Sequence, residues 1–283
     1  MTPPASHEAI AFLLAGLAGK NAYFPSRFGP PAEVRRTRSR TIIDSGLASD
    51  TFNLVVEDRP DATEQDDDEI EDTCRRFGAR GLPAAWWTCD ELRTGRLADI
   101  LLRHGFVEDE VDVGMTADLA ALPRDVPRPA GLGIRLATSP DDLEAYGRII
   151  EANFEPPDPA VMSYYRAVSR LQGQGPGPLR LFLGSMDGRA VCTSSLFLSG
   201  QTAHLFDVCT LAAFRGRGLA SAITHFTLAY GRAHGAGRGG LEASPGGLGI
   251  YRRMGFGEVC TFRVYSNKRH IIDSSHSRDS HDR

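Results

Sequence analysis

The feature that most constrains the fold is a glycine-rich turn between an apolar stretch and a helical pattern. Residues Gln201 to Thr210 predict a strand, Arg215-Gly216-Arg217-Gly218 follows, and Leu219 to His234 has helical periodicity. The first N–H groups of a helix and the positive end of its dipole favour an anion. The two glycines let a ligand approach the backbone, and the arginines add charge and forked donors. The turn therefore predicts an anion site, and the alternative is a solvated basic helix start.

A second motif lies downstream, where Tyr251 falls on a short helix that ends at Gly255 before Phe256 begins another strand. With the turn, this segment resembles the GNAT superfamily of acyl-CoA N-acyltransferases. In that family a strand, an Arg-Gly-x-Gly turn and a helix hold the CoA pyrophosphate. A later Leu/Ile-Tyr-x-x-x-Gly-Phe segment brings a tyrosine to the thioester sulfur, and Ile250 to Phe256 match it.

The resemblance implies acetyl-CoA as the co-substrate and a set of contacts to it. The chain departs from the family at Ala213, where a Gln or Arg is usual, and at Ser244, where Asn is frequent. The implied CoA-binding residues are Val208, Cys209, Thr210, Arg215, Gly216, Arg217, Gly218, Leu219, Ala220, Ser244, Gly249 and Arg252.

The implied reaction is direct transfer of an acetyl group to a primary amine. Tyr251 is the candidate acid, since a phenol and a thiol have similar pKa values, and its alternative role is a core aromatic. Asp207 is preferred as the catalytic base over His204 and Glu242, because it is next to the thioester-binding segment. Asp207 and His204 should face opposite ways unless a bulge intervenes. Each has a structural hydrogen bond as its alternative role, and Cys209 is interpreted as a core residue rather than an acyl carrier.

The order strand, helix, strand, helix, Gly-Phe occurs twice. We therefore expect an α/β fold of two tandem GNAT-type domains, each a mixed, mostly antiparallel sheet flanked by helices. The expected bounds are a degenerate GNAT-like domain at 1–121, a linker at 122–132, an acetyl-CoA-binding domain at 133–265 and a disordered tail at 266–283. The first copy is expected to lack the chemistry, because its turn (57–69) is acidic and Leu101 replaces the tyrosine. Generic α/β alternation is the alternative.

Composition limits the functional classes. The 283 residues carry a net charge of −4, which does not favour nucleic acid or an anionic membrane as partner. The five cysteines have neither metal-ligand nor redox spacing in the sequence, so we expect reduced thiols, no metal and a cytoplasmic protein. The expected partner is a small-molecule or peptide amine, and monomer and homodimer both stay open. The alternatives in function are a catalytically silent acyl-CoA sensor or assembly module, and a nucleotide-binding protein.

Three local expectations concern the ends and connections of elements. Val34 to Ile43 is predicted as one strand and Val107 to Leu119 as a strand pair. The run Gly173 to Pro178 is predicted as a loop, and Asp187-Gly188 as a hairpin turn. Ser139-Pro140 is predicted to cap a helix.

Overall fold

The computed structural model describes residues 7–58, 67–91, 95–124, 126–171 and 177–279. The chain separates into two compact units, and the first contains residues 1–114 with 259–283 while the second contains 115–258. The acidic stretch at 59–66 and most of the run from Gly173 to Pro178 lie outside the described residues, so their predicted conformations stay predictions.

The elements are numbered in chain order. The helices are α1 (His7–Tyr23), α2 (Pro25–Phe28), α3 (Asp67–Ala79), α4 (Gly95–Arg103), α5 (Pro140–Glu151), α6 (Pro159–Ser169), α7 (Leu219–Ala233), α8 (Leu248–Met254) and α9 (Lys268–Asp279). The strands are β1 (Glu33–Arg36), β2 (Thr41–Asp44), β3 (Leu54–Val56), β4 (Ala85–Cys89), β5 (Val107–Asp118), β6 (Leu132–Leu136), β7 (Leu179–Met186), β8 (Arg189–Ser199), β9 (Thr202–Thr210), β10 (Arg238–Ala243) and β11 (Gly257–Ser266).

The first unit is built on a mixed sheet in the order β1-β2-β3-β4-β11-β5. Strands β3 and β4 are parallel, and β4 pairs antiparallel with β11. Helices α3 and α4 each present an apolar face, as their spacing predicts. These faces pack with the sheet in one core, which contains Ile42, Val55, Ile70, Phe77, Trp86, Leu97, Leu101 and Phe106.

The second unit has the strand order β5-β10-β9-β8-β7-β6. Strands β6 to β9 form an antiparallel series, whereas β10 runs parallel to β9. Helix α5 packs on β8 and β9, and α7 packs on the same two strands. The predicted cap of α5 is confirmed, because Ser139 and Asp142 form a reciprocal capping box with Pro140 in the first turn. The predicted Asp187-Gly188 turn is confirmed by positive φ at both residues.

Two sequence expectations about strands were wrong. Residues 107–118 form one strand rather than two, and residues 34–43 contain the ends of two strands, since the turn at Thr37 to Arg40 is closed by hydrogen bonds. Within the tail at 266–283, residues Lys268–Asp279 form α9, and the Ser266 hydroxyl accepts a hydrogen bond from Lys268 N at 3.1 Å. Strand β11 groups mostly with the first unit rather than the second, because it pairs with β4.

Within the described residues, no helix has the length and apolar character needed to cross a bilayer.

Candidate active site

A β-bulge interrupts the pairing of β8 with β9. Thr193 lies opposite Cys209 and Ser195 opposite Phe206, so Asp207 and Val208 together face one residue of β8. Asp207 adopts a left-handed conformation with φ +55°, which is uncommon for a residue other than glycine. The Thr193 hydroxyl donates to the Asp207 carbonyl oxygen at 2.8 Å. The bulge that the parity argument allowed is therefore present, and it sets the direction of the Asp207 side chain.

Strands β9 and β10 separate soon after they meet. They pair over only three residues, and the last pair joins His204 to Gly240. Strand β9 continues to Thr210 and β10 to Ala243 without a ladder between them. Beyond this last pair the two strands diverge, and an extended ligand that carries amide groups could bind between them.

The Asp207 carboxylate is held by two hydroxyl groups. Its Oδ2 accepts hydrogen bonds from Ser195 Oγ at 2.7 Å and from Tyr146 Oη at 3.3 Å. Ser195 and Tyr146 are fully buried, whereas Asp207 is partly exposed. The carboxylate is therefore held by two buried hydroxyl groups on a residue that is itself partly exposed.

Three tyrosines surround this carboxylate. Burial raises the pKa of Tyr146, Tyr164 and Tyr165 well above the ordinary value, and the negative charge of Asp207 raises the pKa further. The rings of Tyr146 and Tyr165 lie 5.1 Å apart, centre to centre. Because the phenols keep their protons, Tyr146 stays a hydrogen-bond donor to Asp207 over the working pH range.

The glycine turn has the backbone that the sequence predicted. After a 3₁₀ turn at Ala212–Phe214, Gly216 and Gly218 take φ values of +75° and +76°, and Gly218 is the N-cap of α7. A Cβ atom at Gly216 would have no neighbour within 4 Å, so this face of the turn is open. The first-turn N–H groups at Leu219 and Ala220 point along the helix axis toward the turn. This is the geometry of an anion site at the start of a 15-residue helix.

The two arginines of the turn have partners within the second unit. Arg215 donates from Nε to Thr210 O at 3.1 Å and from Nη2 to Asn153 Oδ1 at 2.8 Å. Arg217 donates to Ala213 O at 3.2 Å, and its guanidinium lies 5.1 Å from the centre of the Phe214 ring. Arg215 therefore fixes the turn to the end of β9, so the backbone N–H groups are the better placed anion donors.

Tyr251 lies on α8, as the motif predicts. Gly255 ends the helix with φ +98°, and Phe256 N donates to Tyr251 O at 3.0 Å. The tyrosine is 8% exposed and its ring meets Phe256 edge to face, with ring centres 6.2 Å apart. Gly247 is needed nearby, since a Cβ atom there would lie 3.0 Å from Tyr251 Cε2.

The other predicted site residues divide into two groups. Val208, Cys209 and Thr210 lie beyond the last β9–β10 pair, beside the opening. Ser244 and Gly249 are exposed before and in α8, and the Ser244 carbonyl accepts from Gly247 N at 2.9 Å. Arg252 is directed to Glu258, with Nε 2.6 Å from Oε1, so its predicted CoA contact has a competitor.

The alternative bases occupy different surroundings. His204 is 2% exposed and stacks near Phe206, with ring centres 6.4 Å apart. Glu242 is partly buried on β10, beyond the last pair with β9. Asp207 is the carboxylate that the bulge and two hydroxyl donors hold in one position.

Sequence reasoning missed Tyr146, Tyr164, Tyr165 and Ser195. The signal available was the position of Tyr146 on an apolar helix face and the paired tyrosines of the next helix. Nothing in the spacing of Tyr146 indicates that it meets a strand residue 61 positions away.

A comparison with family models matches the part of the chain that contains these features. Residues 144–256, which lie in the second unit, match the model of the Acetyltransferase (GNAT) family. The matched segment spans the bulge, the glycine turn and the Tyr251 helix. No curated protein sequence matches the chain.

Solved structures share the fold over both units. The GCN5-related N-acetyltransferase of Kribbella flavida aligns with a TM-score of 0.62 at 21% identity, over 90% of this chain and 95% of that one. A GCN5-related N-acetyltransferase of Sphaerobacter thermophilus gives 0.57 at 16% identity, over 93% and 94%. A tandem GNAT protein from the clavulanic acid biosynthesis pathway gives 0.58 at 14% identity, over 93% and 96%. The expected fold class of two tandem GNAT-type domains is thus confirmed.

Proposed function

We propose that the protein is an acetyl-CoA-dependent N-acetyltransferase that acylates a primary amine by direct attack. The observation that carries the proposal is the separation of β9 from β10 above the glycine turn of α7. One end of this opening offers backbone N–H groups to a pyrophosphate, and its length lies between strand segments that share no ladder, where the amides of an extended pantetheine chain can bind. Acetyl-CoA has both features.

We assign Asp207 as the base. A primary amine with a pKa near 10 is almost entirely protonated at neutral pH, so it must lose a proton before it attacks. The Asp207 carboxylate attracts the ammonium group and accepts its proton, directly or through a water. Ser195 and Tyr146 hold the carboxylate at the bulge, next to the Val208–Thr210 segment that receives the thioester.

We assign Tyr251 as the acid for the leaving thiolate. When the amine attacks, the carbonyl carbon becomes tetrahedral and its oxygen gains negative charge, which strand N–H groups stabilise. Collapse breaks the carbon–sulfur bond, and the phenol gives its proton to the CoA sulfur. The nitrogen that the attack left positively charged then loses its extra proton, directly or through water, to the phenolate, which restores the tyrosine and leaves a neutral amide. The remaining implied contacts come from the turn residues Arg215, Gly216, Arg217, Gly218, Leu219 and Ala220, with Ser244 and Gly249 at the start of α8.

The substitution Asp207→Asn tests the base. Asparagine keeps the left-handed backbone and the size of the side chain but cannot accept the ammonium proton. With an amine selected by thiol release from a panel of amines, amino acids and peptides, we expect kcat to fall by about 10²-fold or more. Acetyl-CoA affinity should stay within about threefold, because Asp207 is assigned to the acceptor.

A matched control is available at Asp187→Asn. This residue also has positive φ, at +49°, but lies exposed in the β7–β8 turn, so wild-type kinetics are expected. Equal losses in both variants would remove the assignment of Asp207. Tight acetyl-CoA binding with no thiol release on any amine would favour the silent acyl-CoA module instead.

We further propose a small-molecule or peptide acceptor and a cytoplasmic location. The net charge of −4 supports neither nucleic acid nor an anionic membrane as the acceptor.

A further inference from the structure

The first unit contains a cluster of three metal-ligating side chains outside the proposed active site. Cys89, Glu91 and Cys260 each present one ligand atom, and these atoms all lie within 4.8 Å of one another. All three residues belong to the first unit, and none is used in the proposed acyl transfer.

The strand register explains why they meet. In the antiparallel pair of β4 and β11, Cys89 lies opposite Phe262, and Asp90 N continues the ladder to Thr261 O at 3.0 Å. The same register places Glu91 opposite Cys260. Side chains two positions apart share one face of a sheet, so both sulfurs and the carboxylate lie on the same side.

The charged side chains next to this cluster form ion pairs with one another. Asp90, which has the opposite parity to Cys89, pairs with Arg263 at 2.5 Å, and Arg263 also pairs with Glu108. Their charges are thus committed to each other.

The sulfur atoms of the two cysteines are buried. Cys89 is fully buried and Cys260 is 5% exposed, whereas Glu91 is exposed at the rim. A Cβ atom at Gly114 would lie 2.7 Å from Cys260 Sγ and 2.8 Å from Leu13 Cδ1, so the glycine gives the sulfur its space. Neither Cys89 nor Cys260 forms a disulfide bond.

We propose that Cys89, Cys260 and Glu91 bind a zinc-type divalent cation, with a water completing a tetrahedral set on the exposed side. Two thiolates and a carboxylate suit a borderline-soft ion such as Zn²⁺. Binding replaces the two thiol protons by two metal–sulfur bonds and releases both protons to solvent. The bound ion would link the end of β4 to the start of the first unit's part of β11.

Titration of the reduced full chain with Co²⁺, after treatment with a chelator, tests the site. Co²⁺ adopts the geometry of Zn²⁺ and reports thiolate ligands by a charge-transfer band. We expect one equivalent to produce this band together with visible absorption typical of tetrahedral coordination, and Zn²⁺ to displace both. A thermal shift of a few degrees upward, about 2–4 °C, should accompany Zn²⁺ binding.

Variants within the same chain give the controls. Cys89→Ser and Cys260→Ser should each abolish the band, while Cys74→Ser and Cys209→Ser should retain it. The exposed Glu91→Gln should fold normally and weaken Co²⁺ binding by at least about tenfold. Absence of a thiolate band at excess Co²⁺, or its persistence in Cys260→Ser, would overturn the proposal. Acetyl-CoA binding is measured separately, so either proposal can fail alone.

Discussion

Two helix ends, one in each unit, have the same backbone and different chemistry. In α4 the hydrogen bonds run from Phe106 N to Leu101 O and from Gly105 N to Leu102 O, at 3.0 and 3.1 Å. In α8 the equivalent bonds join Phe256 to Tyr251 and Gly255 to Arg252, also at 3.0 and 3.1 Å. The first end presents a fully buried leucine where the second presents the phenol. The two helix ends therefore share a backbone and differ in the side chain that they present.

Each unit contains a pair of parallel strands, and the two pairs differ in how far their strands stay hydrogen-bonded. Strands β3 and β4 stay paired up to Val56 and Trp87, and Glu57 N extends the ladder to Trp87 O at 3.2 Å. Strands β9 and β10 separate after His204 and Gly240. The first pair is closed by its own hydrogen bonds, whereas the second leaves an opening.

Charged side chains beside β3 and β4 pair with each other within the first unit. Glu57 is buried beside Arg40, with Nη2 4.0 Å from Oε1, and Arg40 is fully buried over Trp86. Burial raises the pKa of Glu57 despite this neighbour. We propose that the second unit alone binds acetyl-CoA, because its glycine turn has an open face whereas the sequence of the first copy is acidic at 57–69.

The largest expected effect comes from placing a negative charge in the turn. Gly216→Asp should weaken acetyl-CoA binding by about 10³-fold, since like charges 4 Å apart repel by about 4 kcal/mol at an effective dielectric near 20. Calorimetry on the folded variant measures this. Gly216→Asn is the matched control, because Asn also tolerates positive φ but is neutral, and it should lose less than about tenfold. Equal losses would show that the side chain, and not the charge, obstructs binding.

The next largest effect is expected from removing the hydroxyl group of Tyr251, which α8 has and α4 lacks. Tyr251→Phe should lower turnover by about 10²-fold with acetyl-CoA affinity little changed, because the proton is needed as the thiolate leaves. Single-turnover thiol release provides the rate. Tyr230→Phe, on α7 and bonded to Arg180, is the control and should retain full activity. Unchanged turnover in Tyr251→Phe would make this tyrosine structural.

The glycines that end α4 and α8 should differ in how much they contribute to the free energy of unfolding. Gly105 and Gly255 have φ of +77° and +98°, so alanine strains both. A Cβ atom at Gly105 would also lie 2.4 Å from the ring of His270, whereas at Gly255 the nearest atom is 3.5 Å away. Denaturant unfolding should show a loss of about 2–3 kcal/mol for Gly105→Ala and about 1 kcal/mol for Gly255→Ala. Adding His270→Ala to Gly105→Ala should recover part of the loss, and no recovery would contradict the predicted contact.

A smaller effect, which depends on pH, is expected on the stability of the second unit. The guanidinium of Arg135, 2.5 Å from Asp142, lowers the pKa of that carboxyl, and N–H groups of Thr138 and Ser139 lower it further. A lowered pKa contributes stability that is complete above the unfolded value, near 3.9, and is lost as pH falls toward the folded value. Asp142→Asn should therefore cost about 1–2 kcal/mol at neutral pH, and the difference from wild type should shrink below about pH 4. A difference independent of pH would contradict this ion pair.

The sequence predicted the turn, the Tyr251 helix and most elements because their signals are local. Glycine φ values, a capping box and an apolar periodicity depend on neighbours within a few positions. Contacts distant in the sequence could not be predicted in the same way. Ser195 and Tyr146 meet Asp207 only because a bulge turns its side chain.

The cysteine cluster and β11 show the same limitation. Cys89 and Cys260 have no ligand spacing in the sequence, and a strand register brings them together. The final strand was expected with the second unit because it follows its last motif, yet its hydrogen bonds to β4 place most of it in the first.

The most direct test of the account is the stoichiometry of acetyl-CoA binding to the intact chain. Calorimetry should give one acetyl-CoA per chain, and that binding should disappear in Gly216→Asp while Gly216→Asn retains it. Two acetyl-CoA molecules per chain, or one that survives Gly216→Asp with unchanged affinity, would contradict the assignment of the site to the second unit's turn.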